Sequence, residues 1–92
     1  MKTEIKQMWK NEGWSFKKDN EYEYFVYKVD LSDNIERVFN VLFATKSERK
    51  YYFIETFSQV KDDKRTRIEE HLFIEPKLHK LIHKTLEMLG WL

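Results

Sequence analysis

The middle of the chain is a series of β-forming segments separated by short polar turns, and this series restricts the fold more than any other feature. Aromatic and β-branched residues are dense from Tyr22 to Leu31, and the pattern resumes from Ile35 to Thr45 after the turn residues at 32–34. Further segments follow from Lys50 to Val60 and from Thr66 to Ile74. Connections this short join neighbouring antiparallel strands, so the sequence predicts an antiparallel meander.

Amphipathic segments flank this predicted sheet on both sides. Thr3 occupies a position suited to a helix N-cap, and apolar residues keep helical spacing until Gly13. A brief strand from Trp14 to Lys18 then leads into the sheet. Pro76 suits the first turn of a closing helix that ends at Gly90, and its apolar stripe is Leu78, Leu81, Ile82, Leu86 and Leu89. The sequence therefore predicts an α+β fold: an N-terminal helix, three to five antiparallel strands and a C-terminal helix, with both helices on one face of the sheet.

Length and composition restrict the classes of protein. The 92 residues predict one domain, 1–92, with a modest core. Seventeen basic residues against sixteen acidic ones give no net charge that would attract phosphate on its own. There is no cysteine, which excludes disulfides and thiolate chemistry, and no apolar run long enough for a membrane span. We expect a cytoplasmic protein with no membrane partner.

The segment from Ile35 to Thr45 is apolar on both of its faces. Phe39 and Phe43 occupy one parity, while Val38 and Leu42 occupy the other. Two helices can cover one face of such a sheet, and apolar surface that stays exposed usually marks an interface. We therefore expect part of the second face to contact a protein partner or a second copy in a homodimer.

Two histidines four residues apart, His79 and His83, are the first candidate for chemistry. This spacing can hold zinc on a helix, but the helical wheel places both side chains on the polar side, and Lys80 and Lys84 would repel a dication. We favour solvated histidines over a metal site, and we expect His71 to be structural. No cofactor is predicted.

A basic and aromatic group around the third predicted strand is the second candidate. Aromatic rings beside cationic side chains bind single-stranded nucleic acids, although the same rings can fill a core. The balanced net charge favours the core interpretation, and nucleic-acid binding remains the alternative. The candidate interaction residues are Arg49, Tyr51, Phe53, Phe57, Lys64, Arg65 and Arg67.

The sequence contains no recognisable catalytic motif. The acidic pairs Asp62-Asp63 and Glu69-Glu70 flank predicted turns without a partnered base, and two glycines leave no phosphate-binding loop. We therefore expect a protein that is not an enzyme.

The opening "EIKQMWKNEGWSFKK" and the closing "LHKLIHKTLEMLGWL" resemble the first and last helices of HicA-type toxin ribonucleases. That resemblance implies a small fold like that of double-stranded-RNA-binding domains. The catalytic histidine of that family follows the first strand, where this chain has Lys18-Asp19-Asn20-Glu21, so no catalytic residue carries over. A degenerate nuclease is the minor alternative.

In size and layout the chain also resembles small phage-encoded inhibitors of host enzymes, including some anti-CRISPR proteins. From these observations we expect a small non-catalytic binding protein that acts through its sheet and helix surfaces, with inhibition of a larger protein as a specific form of that function.

Overall fold

The computed structural model describes residues 1–32, 35–46, 48–59, 69–70 and 76–92. Helix α1 spans Thr3–Asn11, and strands β1 and β2 span Ser15–Lys18 and Glu23–Ser32. Strands β3, β4 and β5 span Ile35–Phe43, Tyr51–Gln59 and Glu69–Glu70, and helix α2 spans Pro76–Leu89. The predicted α+β order of helix, antiparallel sheet and helix is confirmed.

The sheet is an antiparallel meander in the order β1-β2-β3-β4-β5. Short connections keep consecutive strands adjacent in space, as the turn residues predict. The register places Phe25 beside Val41 and Val41 beside Phe53 across the three long strands. Because directly opposite residues share a face, these three apolar residues form one continuous row.

Both helices pack on the face that carries this row. Ile5 and Trp9 of α1 and Leu78, Leu81 and Ile82 of α2 join the row in one buried cluster. The Trp9 ring stacks on Phe25 with centroids 4.4 Å apart. The predicted position of the helices on one face is therefore confirmed.

The apolar stripe of α2 includes a residue that the hydrophobic pattern alone omits. Thr85 is fully buried, and its hydroxyl accepts a hydrogen bond from the indole N–H of Trp9 at 2.7 Å. The same hydroxyl donates to the carbonyl of Leu81 at 2.7 Å. Thr85 lies two turns after Leu78, in the centre of the stripe, so helical geometry could have located it.

Both predicted helix ends are confirmed, whereas the predicted N-cap is wrong. Gly13 and Gly90 have φ angles of +90° and +74°, and each amide donates to a carbonyl in the preceding helix. Lys2, in extended conformation and without a side-chain capping bond, is the N-cap residue, and Thr3 is already helical. The strand predicted over Thr66–Ile74 is described only at Glu69–Glu70, and the rest of it, with His71, lies outside the described residues.

Candidate interaction surface

The face of the sheet opposite the helices is the main candidate surface. Strand parity directs nine described side chains of the three long strands to it, of which Lys28 and Glu36 are charged. We call the other seven the open face: Tyr24, Val26, Val38, Asn40, Leu42, Tyr52 and Ile54. The register aligns Val26 with Asn40 and Asn40 with Ile54 in one row, and Tyr24 with Leu42 and Tyr52 in the next. The set is mostly aliphatic and aromatic, on the face that the helices do not cover.

Every side chain of the open face is half-buried or buried. Val26 is 9% exposed, while Tyr24, Leu42 and Ile54 are half-buried. Lys17 and Lys28 share this face on the β1 side and are exposed. With Glu36 of β3 on the same face, the result is an apolar centre with a margin of mixed charge, which is the usual organisation of a protein-binding patch.

Two tyrosines and a glutamate lie at one end of the open face. The Tyr52 hydroxyl donates to Oε2 of Glu48 at 2.7 Å, and the Tyr52 ring meets the Tyr22 ring edge to face at 6.0 Å. These contacts hold Tyr52 against the sheet. Aromatic groups with few rotatable bonds lose little entropy when a partner binds.

The predicted interaction residues do not converge on one surface. Phe53 is 6% exposed within the core, because strand parity places it beneath the helices. A contact between Phe53 and a partner stays a prediction. Tyr51 is 37% exposed, and its ring lies 6.2 Å from that of Phe43. Phe57 pairs with Arg37 in the register of β3 and β4.

The basic members of that group are only partly described. Arg49 is exposed in the turn between β3 and β4, with a φ angle of +52° that is costly for a residue with a Cβ. Lys46 and Lys50 are exposed in the same connection. Lys64, Arg65 and Arg67 lie outside the described residues.

An ion pair on the helix-facing side was missed by sequence reasoning. Nε of Arg37 donates to Oε1 of Glu55, which is only 2% exposed, and the Arg37 guanidinium lies 4.6 Å from the centroid of the Phe39 ring. A buried carboxylate needs such a partner to remain charged. The register makes the pair visible: Phe39 lies opposite Glu55, and Arg37 is the next residue of β3 on that face.

A second carboxylate, Glu23, is paired at the other end of the sheet. Its Oε1 accepts a hydrogen bond from the Met1 ammonium at 2.6 Å. Burial by itself raises the pKa of Glu23, but the Met1 ammonium and the Thr45 hydroxyl outweigh burial and leave this pKa below its usual value. The interaction fixes the start of the chain against β2.

The two histidines of α2 lie on its exposed side, as the helical wheel predicts. Nδ1 of His83 is 3.1 Å from Oε1 of Glu87, and Nζ of Lys84 is 3.9 Å from Oε2 of the same residue. In the part of the chain that the structure describes, no three histidine, aspartate or glutamate side chains gather at metal-binding distance. Metal binding therefore receives no support from the described geometry.

The surface beside α1 contains a shallow depression whose lining comes from one helix. Its residues are Thr3, Glu4, Gln7, Met8, Asn11 and Glu12. All of them belong to α1 or to Lys2–Glu12 around it, and Glu12 is the C-cap of the helix. Among the described helices, none combines the length and apolar character needed to cross a membrane.

Known proteins add no functional assignment to this geometry. Comparisons with protein families, with curated proteins and with solved structures return no match for this chain. The fold and its surfaces therefore define the class: an α+β protein with two helices on one side of an antiparallel meander.

Proposed function

We propose that this chain is a non-catalytic binding protein that docks on another protein through the open face. The observation that carries the proposal is the position of the helices. Both lie on the Phe25 side of the sheet, so no described helix covers Val26, Leu42 and Ile54 on the other side. Apolar side chains left at the centre of a sheet gain free energy when a partner removes them from water.

The charges around the open face support a protein partner over a nucleic acid. Its centre carries no cation, and Lys17 and Lys28 lie at the margin. Binding to a phosphate backbone would need several cations distributed along a groove. An apolar centre with charged margins suits a hydrophobic patch on a larger protein, and inhibition of that protein is the specific form of the function that we favour.

Affinity capture with matched variants tests this proposal. Leu42→Glu places a charge in the middle of the open face, whereas Lys80→Glu changes the charge on the exposed side of α2 and serves as the control. We expect wild type and the control to retain the same protein from extracts of the source cells in about 0.5 M salt, where surface electrostatics are largely screened. Leu42→Glu should lose it.

Circular dichroism must first show that both variants are folded. Capture that is unchanged by Leu42→Glu would refute the open face as the binding surface. The absence of any retained protein at this salt concentration would also count against the proposal.

Nucleic-acid binding is the second candidate, and the turn between β3 and β4 favours it. Lys46, Arg49 and Lys50 are exposed together beside Tyr51. If this turn binds single strands, affinity for a labelled oligonucleotide should fall steeply with salt, and Arg49→Ala should lower both the affinity and the salt dependence. If Arg49→Ala binds the oligonucleotide with unchanged affinity and salt dependence, this role for the turn is excluded.

A further inference from the structure

The exposed side of α2 concentrates positive charge in a chain that is close to neutral overall. Three lysines and two histidines are exposed along the helix, and they accompany one exposed acidic residue, Glu87. On α1, by contrast, the exposed charges of Glu4 and Lys10 balance each other. The formal net charge of +1 for the whole chain therefore does not describe this local surface.

Three of these cations form one row along the helix, and we call Lys77, Lys80 and Lys84 the lysine row. Steps of three and four residues keep the row within a sector of about 60° and separate its members by about 4.5 Å and 6 Å along the helix axis. All three are exposed, because the buried residues of α2 lie on its other side. Carboxylate oxygens of Glu87 lie 3.9 Å from Nζ of Lys84 and 3.1 Å from Nδ1 of His83, so this acid is shared between the row and a histidine. The row therefore keeps a net positive charge.

The stability of α2 does not explain where these lysines lie. The first turn of the helix includes Lys77 and contains no acidic residue, and the last turn contains no basic residue. A helix dipole favours the opposite arrangement, with acids at the start and cations at the end. Natural sequences that break such a local rule tend to do so at functional positions. The distribution of charge on α2 therefore indicates a ligand for the lysine row instead of a contribution to folding.

We propose that the lysine row binds the phosphate backbone of a nucleic-acid duplex without reading its sequence. A lysine ammonium is a compact charge that pairs with a single phosphate, whereas recognition of bases needs side chains that reach the base edges in a groove. Phosphates recur about every 3.4 Å along the axis of each strand, so the spacing of the row lets each lysine contact a phosphate of its own. Three such contacts give weak binding that depends strongly on salt.

The other residues of α2 favour a duplex over an acidic protein or a single strand. Protein interfaces are built around apolar and aromatic side chains and are depleted in lysine, and the exposed residues of α2 include no leucine, isoleucine or methionine. Single strands are bound by stacking their bases on aromatic rings, and α2 contains no phenylalanine, tyrosine or tryptophan. A row of cations without such neighbours suits an evenly charged phosphate backbone.

The salt dependence of duplex binding measures the number of phosphate contacts. Fluorescence anisotropy of a short labelled DNA duplex should give a slope of about −2.7 for the logarithm of the binding constant against that of salt concentration. Binding should therefore be roughly 40-fold weaker at about 200 mM salt than at about 50 mM. Each of the variants Lys77→Gln, Lys80→Gln and Lys84→Gln should reduce the magnitude of the slope by about 0.9, and the triple variant should lose the salt-dependent binding. Lys17→Gln is the matched control, since it removes the same charge from an exposed residue on the opposite face of the sheet. It should bind as wild type does.

A charge reversal separates binding from folding. Lys77→Glu should weaken duplex binding more than Lys77→Gln does, and it should raise Tm because it places an acid at the positive end of the helix dipole. Weaker binding together with a lower Tm would make unfolding the cause and overturn the proposal.

An RNA duplex, polyglutamate and Arg49→Ala complete the experiment. Binding of either duplex through the lysine row supports the proposal, and the ratio of the two affinities shows which nucleic acid the row prefers. Wild type that binds neither duplex at about 50 mM salt would overturn it, as would duplex binding that survives the triple variant or that Arg49→Ala removes instead. Tighter binding of polyglutamate than of both duplexes would assign the row to an acidic protein and overturn it too. The row lies on the helix side of the sheet, so its binding does not depend on the proposed docking of the open face.

Discussion

The buried hydrogen bond between Trp9 and Thr85 ties α1 to α2, and replacing Thr85 with valine should destabilise the fold measurably. Both residues are fully buried, so the Trp9 N–H would lose its acceptor without gaining water. An unsatisfied buried donor costs about 1–3 kcal/mol, and the extra methyl of valine returns at most about 0.8 kcal/mol. The expected net loss is about 1–2 kcal/mol of unfolding free energy.

A double-mutant cycle with Trp9→Phe isolates this interaction from the change of shape. Trp9→Phe removes the donor, so Thr85→Val in that background should cost close to nothing, and the coupling energy should be about 1–2 kcal/mol. Urea unfolding followed by circular dichroism measures all four proteins. For a chain of this size the single change Thr85→Val should also lower Tm by about 4–16 °C. An equal cost of Thr85→Val in both backgrounds would show that the hydrogen bond is not the cause.

Three further outcomes follow from the described contacts. Because the pKa of Glu23 is lowered by folding, its ionised form contributes stability above its usual pKa of 4.5 and loses that contribution as pH falls through the folded pKa. The stability gap between wild type and Glu23→Gln in urea titrations should therefore be largest near neutral pH and close as the solution is acidified; a constant gap would contradict the pairing. Gly13→Ala should cost about 1–3 kcal/mol in the same assay, because φ is +90° and the new Cβ would lie 3.1 Å from the Tyr27 ring; a neutral effect would show that the turn can relax. Phe43→Ala should cost about 3–5 kcal/mol and Leu42→Ala less than about 2 kcal/mol, since Phe43 is in the core and Leu42 is on the open face; equal thermal shifts would argue that both faces are covered.

The candidate surface was only partly accessible from the sequence. Alternation showed that the strand Ile35–Phe43 is apolar on both of its faces. Both helices pack on one face of the sheet, so neither of them covers the other face. The positions of the chosen aromatic residues were not accessible from the sequence, because alternation says that Phe53 and Tyr52 lie on opposite faces without saying which face the helices occupy. Phe53 lies in the core, and Tyr52 lies on the open face.

Periodicity and turn chemistry determined the order of elements, since both depend on residues close together in the chain. The glycines at 13 and 90 ended the helices for the same local reason. Only the tertiary structure decided which side of the sheet is buried, that the Trp9 indole meets Thr85, and how far β1 extends along β2. These features depend on contacts between residues far apart in the chain, for which a local pattern carries no distance information. The sequence alone could therefore predict the strands, while the open face became visible only when the strands were placed side by side.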